Sequence, residues 1–305
     1  MLFIFFITLS IETAEDKNQL EELYFENSHF MKVEGVQMHY RVWKPTENLP
    51  LGNILLLHGL GGSIFSWRFV APDLAKQGYL VLAVDLPGFG LSQRKPPVMQ
   101  SHEMRGNLVW KLIEKIDIPG SWHLVGHSMG GGTAIVMVLQ KPINSLSLTL
   151  VDGSIDYSTK RIWSLLSRSR LMRKLAGKII NRFFLTRKRI KLFLSSAYGR
   201  EPTSEEVEGY YQPLKVKETI FTLTNLLKRY KSDQNLKKRI NEIGIPVLCL
   251  WGRKDEWISL DKGIELIQEI LDSRLVIIDE AKHCPMETHP VLFNQYLIQF
   301  FQNND

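Results

Sequence analysis

Gly126-His127-Ser128-Met129-Gly130 places a serine between two glycines, the spacing at which a hydroxyl can attack a carbonyl. A serine hydroxyl is a weak nucleophile. It needs a base to take its proton, a group to orient that base, and donors for the oxyanion that forms. The G-x-S-x-G spacing alone arises often by chance. Here an apolar run from Trp122 to Val125 precedes it, and an apolar helical pattern from Thr133 to Leu139 follows. That is the strand–turn–helix setting of a nucleophile elbow. The glycines let strand and helix approach closely, and the strained turn lifts the Ser128 hydroxyl above the sheet.

The remaining parts lie far from Ser128 in the chain. His283 follows the strand-like run Arg274–Ile278 and precedes a helix predicted over Pro290–Phe301. Asp255 closes Gly252-Arg253-Lys254-Asp255, just past the buried-strand pattern Pro246–Trp251. Catalytic groups collect at that end of the strands in open parallel sheets. Asp152, after Leu148–Val151, is the rival for the acid. The chain order Ser128, Asp255, His283 is the one that goes with an elbow of this kind, and it differs from two other common serine hydrolase orders. Asn53–Leu57 reads as a buried strand and ends in His58-Gly59-Leu60-Gly61-Gly62-Ser63. The oxyanion donors expected for this elbow are the N–H groups of Met129 and Leu60, with Gly61 close by. His58 reads as a brace for its loop, and Asp85 as the residue that fixes the loop at 84–90. Gly61, His127 and Trp257 are candidates for contact with substrate.

These motifs together resemble the α/β-hydrolase superfamily. They are His58–Ser63, Asp85-Leu-Pro-Gly-Phe-Gly90, Gly126–Gly130, Gly252–Asp255 and His283-Cys-Pro-Met-Glu287. The resemblance covers the chain from about Val33 to its end, except for a middle insertion. It implies an α/β fold: a mostly parallel central sheet flanked by helices, with a helical cap inserted after the sixth strand, in the lidded, single-domain, esterase- or lipase-like branch. It implies a catalytic triad of Ser128, Asp255 and His283. Lys282 stands where glycine is common before the base, and Ser259 where proline often follows the acid loop. Serine as nucleophile excludes the aspartate-based relatives that open epoxides or carbon–halogen bonds. His127 differs from the asparagine common in the elbow of hydrolases that cut carbon–carbon bonds. The expected reaction is hydrolysis of carboxylic esters, medium-chain or lipid-like, through an acyl-enzyme. Carbon–carbon, amide or thioester hydrolysis on the same triad stays open, as does a non-catalytic ligand-binding role.

The 305 residues suit one α/β domain with an insertion. The expected divisions are an apolar N-terminal segment and lead-in at 1–30, core at 31–153, a helical cap at 154–240 and core again at 241–305. Two cysteines give no disulfide framework; Cys249 reads as buried filler and Cys284 as a thiol sensitive to reagents. No Cys or His spacing marks a metal site, and no phosphate loop appears, so the reading is of an enzyme without metal or cofactor. Met1–Ile11 is too short to span a bilayer and lacks the basic start of a signal peptide. A poor signal, an interfacial anchor and a packed helix all remain open, so the compartment is unknown: cytoplasm, membrane association or secretion. Residues 156–239 hold 21 Lys+Arg against 7 Asp+Glu, while the rest of the chain holds 17 against 25. A solvated helical face accounts for that split, as does attraction to an anionic membrane surface or an anionic substrate. The expected partner is a small-molecule ester. No module supports nucleic-acid binding, and the oligomeric state is open.

Overall fold

A computed structural model of the chain describes residues 27–46, 49–94, 101–153, 186–216, 219, 222 and 234–304. The apolar N-terminus and much of the segment expected as a cap, including its apolar residues from Trp163 to Phe184 and its basic stretches Arg168–Arg170 and Arg173–Lys174, lie outside them. The strands are β1 (Ser28–Val33), β2 (Val36–Trp43), β3 (Asn53–Leu57), β4 (Leu80–Val84), β5 (Trp122–His127), β6 (Ser145–Val151), β7 (Val247–Gly252) and β8 (Ser273–Ile278). They form one sheet in the order β1-β2-β4-β3-β5-β6-β7-β8. β2 pairs antiparallel with both its neighbours, and every other pairing is parallel.

The strand sequences explain why both faces are covered. β3, β5 and β7 are buried at every residue, the pattern of parallel strands clothed by helices on two sides. Alternate side chains go to opposite faces. Leu55 and Leu57 join the core beneath α2 (His102–Ile116), α3 (Met129–Gln140) and α7 (Leu260–Glu269). Ile54 and Leu56 join the core beneath α1 (Ala71–Lys76) and α9 (Pro290–Gln302). Between β6 and β7 the described elements are helices: α4 (Arg187–Tyr198), α5 (Ser204–Leu214) and the short α6 (Gln234–Lys238). The single-turn α8 (Pro285–Thr288) follows β8. No helix among the described residues is long and apolar enough to cross a membrane.

α4 and α5 dock onto the second core through Ile190, Leu194, Tyr198, Val207, Tyr210 and Leu214. Their contact with the core also contains buried charge. Glu287 on α8 is fully enclosed; it pairs with Arg68 and accepts hydrogen bonds from Tyr198 Oη at 2.7 Å and Tyr210 Oη at 2.5 Å. Arg68 also meets Glu206 at 3.3 Å, and Glu206 pairs with Arg200 at 2.7 Å. Burial pushes the Glu287 carboxyl up, and the Arg68 charge and the phenols only partly offset it. Glu287→Ala strands the Tyr198 phenol and part of the Arg68 guanidinium in the interior, and leaves Tyr210 Oη with Ser66 Oγ alone. It is expected to cost about 3–5 kcal/mol, measured as a lower denaturant midpoint at neutral pH. Among the insertion's described basic residues, Arg187, Lys191 and Arg200 are each paired, with Glu208, Glu201 and Glu206.

Candidate active site

Register brings the separate motifs to one edge of the sheet. Leu57 lies opposite Gly126, so the residues beyond them, the His58–Ser63 loop and Ser128, leave the sheet side by side. His127 lies opposite Val151, and Ser128 N donates to Val151 O at 2.9 Å. Val151 in turn lies opposite Leu250, which sets Asp152 beside the start of the Gly252–Asp255 loop.

Ser128 holds φ 50° and ψ −116°, a conformation that side chains rarely adopt, at the turn from β5 into α3. Glycine is required on both sides of it. A Cβ on Gly126 would lie 2.4 Å from Gly130 O, and one on Gly130 would lie 2.3 Å from Leu57 O. Met129 is the first residue of α3, whose N–H has no intrahelical acceptor and carries the positive end of the helix dipole. Across from it, no described backbone acceptor takes the Leu60 N–H. Leu60 and Gly61 both line the cavity in front of Ser128, and Gly61 has φ +72°.

The His58–Ser63 loop is held by two buried groups. Asp85 accepts from Ile64 N, Leu91 N and His39 Nδ1, each at 2.7 Å, and so ties together β2, the His58 loop and its own loop. Gly90, at φ +53°, leaves space for that carboxylate; a Cβ there would sit 1.9 Å from Asp85 Cγ. His58 Nε2 accepts from Leu86 N at 2.9 Å, which leaves Nδ1–H to donate to Gly59 O at 2.8 Å. Both nitrogens are engaged, and burial lowers its pKa. His58 is a neutral brace.

Asp255 and His283 are in direct contact. His283 Nδ1 lies 2.7 Å from Asp255 Oδ2, and both side chains are buried. The other oxygen of Asp255 accepts from Trp257 N at 2.7 Å and Ile258 N at 3.1 Å. Burial pushes this carboxyl up, but the His283 contact and the two N–H groups outweigh it and hold it below the ordinary aspartate value. The carboxylate is therefore charged at neutral pH and fixes His283 with Nδ1–H toward it, leaving Nε2 as the free base. The His283 backbone is anchored at both ends: its N–H donates to Ala197 O of α4 at 3.0 Å, and its carbonyl accepts from His127 Nε2 at 2.8 Å. His127 is thus a neutral imidazole, its pKa lowered to about 3 by burial and by the neighbouring His283. Lys282 pairs with Glu256 at 3.0 Å, so its charge is balanced beside the base. Cys284 is buried, and burial drives its thiol pKa well up. The expectation of a reactive thiol there is corrected, because the thiolate is the reactive form.

Ser128 and His283 share one cavity of about 840 Å³. A hydrogen bond between them is not formed in this structure, in keeping with the long, loose catalytic contacts common before substrate binds. Trp257 borders the cavity with its ring 4.8 Å from that of His283 and 4.4 Å from that of Phe193, and its Nε1–H donates to Ser196 Oγ at 3.0 Å. The sequence reading missed Tyr210 and Ser66, which meet at 3.0 Å on the cavity wall. It also passed over Ile190, Leu194 and Ala197, whose helical spacing with Phe193 signals one face of α4 turned to the site.

A family model for the alpha/beta hydrolase fold matches residues 52–290. The chain belongs to that family. An uncharacterized hydrolase of Bacillus subtilis, YugF, is 25% identical over 280 residues, spanning 88% of this chain and 96% of the relative. A 2-hydroxy-6-oxononadienedioate/2-hydroxy-6-oxononatrienedioate hydrolase of Cupriavidus pinatubonensis is 25% identical over 293 residues, spanning 90% and 96%. The solved structure of an alpha/beta hydrolase fold protein from Burkholderia ambifaria superposes with a TM-score of 0.74 at 20% identity, covering 90% of this chain and 98% of that one. The protein is a hydrolase of this fold.

Among the described residues, one group of three ligand-type side chains lies close enough to hold a metal ion: Asp152, Asp255 and His283. It is the hydrogen-bonded Asp255–His283 pair with a second carboxyl beside it. The facing atoms of Asp255 and His283 are already spent on each other.

Proposed function

We propose that this hydrolase cleaves carboxylic esters through an acyl-enzyme on Ser128. His283 Nε2 takes the Ser128 proton as Oγ bonds to the ester carbonyl carbon. The carbonyl oxygen becomes an oxyanion facing the N–H groups of Met129 and Leu60. The C–O bond then breaks, and His283 returns the proton to the departing alcohol. A water molecule, deprotonated by the same nitrogen, releases the acid and restores Ser128. Asp255 holds the tautomer throughout and stabilises the imidazolium. The segment between β6 and β7 acts as the cap, covering the acyl group with one face of α4.

The observation that carries the ester reading is the cavity wall. Gly61, Ile190, Phe193, Leu194, Leu214 and Trp257 offer an acyl chain an apolar surface next to Ser128. Carbon–carbon hydrolysis is the second reading, favoured by the Cupriavidus pinatubonensis relative and by Arg189, a cation on the rim suited to a substrate carboxylate. The test is turnover of p-nitrophenyl esters from acetyl to palmitoyl by the full chain, beside a dienedioate ring-fission product. Ester turnover that peaks at medium chain length supports the proposal. Turnover of the dienedioate alone gives the second reading, and turnover of neither by folded protein leaves a ligand-binding role.

A further inference from the structure

Asp152 takes no step in that mechanism, yet it is fully buried beside the triad. It sits at φ 42°, a left-handed conformation that aspartate and asparagine tolerate better than most residues. Its Oδ1 accepts from Gly252 N at 3.0 Å, while its Oδ2 is buried with no acceptable donor among the described residues. Facing atoms of Asp152, Asp255 and His283 lie within 4.8 Å of one another. Cys284, next to His283 in the chain, is buried as well. No lysine or arginine of the described residues pairs with either carboxyl; their one cationic partner is His283, when protonated, on Asp255.

We infer that Asp152 is a neutral carboxylic acid whose Oδ2–H donates to the Asp255 carboxylate, making it a positioning residue for the catalytic acid. Two enclosed carboxyls this close do not both ionise, and the proton goes to the one with fewer donors. Asp255 has three, from His283, Trp257 N and Ile258 N; Asp152 has one. An ionised Asp152 would leave Oδ2 as a buried charge without a partner, whereas a protonated one supplies a donor. Burial, and then the neighbouring Asp255 charge, drive the Asp152 carboxyl well above the usual aspartate range. The Asp152 hydrogen bond withdraws charge from Asp255, so the acid limb of the pH–kcat/KM profile lies lower than Asp255 alone would set it.

This inference rests on the triad reading, and the test separates the two. Asp152→Asn keeps Oδ1 on Gly252 and presents an amide N–H to Asp255. Asp152→Gly removes the donor without straining the backbone. With ester substrate, the acid limb in Asp152→Asn is expected to stay at its wild-type position, while in Asp152→Gly it moves up by about 0.5–1 pH unit. A limb that moves down in Asp152→Asn overturns the proposal, because it reports loss of a negative charge next to the imidazolium. A limb that stays in place in Asp152→Gly overturns the link to Asp255. Carbon-13 labelling of aspartate carboxyls reads the proton without turnover. The resonance lost in Asp152→Asn is expected in its protonated position at neutral pH, and an ionised position there overturns the assignment even if no ester is cleaved.

Discussion

Ser128→Ala is expected to lower kcat/KM for an ester by about 10⁴-fold or more, with the fold unchanged. The elbow leaves the alanine methyl in the same strained position, so the cavity and the oxyanion donors stay in place. What disappears is the one oxygen that the turn at φ 50° projects into the cavity beside His283. His283 then has no hydroxyl to deprotonate. The residual rate is that of water attack aided by the Met129 and Leu60 N–H groups. Steady-state kinetics with a purified variant, its far-UV spectrum matched to wild type, measures the effect. A loss of less than about tenfold would place the nucleophile elsewhere.

Asp255→Asn is expected to cost about 10⁴-fold in kcat. The reason is local. Trp257 N and Ile258 N both donate to Oδ1, so the asparagine must put its amide oxygen there. Its NH₂ group then faces His283 Nδ1, where the wild type presents a carboxylate oxygen at 2.7 Å. An N–H opposite Nδ1 forces the tautomer with the proton on Nε2, and the base facing Ser128 is lost. The pH–rate profile and kcat of Asp255→Asn and Asp255→Ala distinguish this from simple loss of charge. The asparagine variant, locked in the wrong tautomer, is expected to be no more active than the alanine variant.

Much of this site is legible in sequence because its parts are local signals at strand ends. Gly126–Gly130 sits between a buried strand and a helix, Asp255 just past β7, and His283 between β8 and α8; each needs only short-range pattern to be placed. The sheet then aligns them, since parallel strands in register end at one level. What was not legible depends on contacts between distant segments. Asp152 read as a rival to Asp255, but the pairing of β6 with β7 makes the two neighbours with different donor supplies. Glu287 was quoted in a motif without a role, since Arg68, Tyr198 and Tyr210 that surround it come from three other elements. Cys284 read as a thiol sensitive to reagents because adjacency to His283 in sequence says nothing of the packing that buries it. The α4 face toward the cavity was masked by the basic residues interleaved with it: Arg187 and Lys191 pair with glutamates of α5 and of the connection before it, while Arg189 borders the cavity.

The most direct measurement is mass spectrometry of the intact protein quenched during turnover of an activated medium-chain ester. A transient adduct with the mass of the acyl group is expected, mapped to the peptide that contains Ser128 and missing from Ser128→Ala. Turnover by Ser128→Ala at the wild-type rate, or an adduct on another residue, would contradict an acyl-enzyme on Ser128.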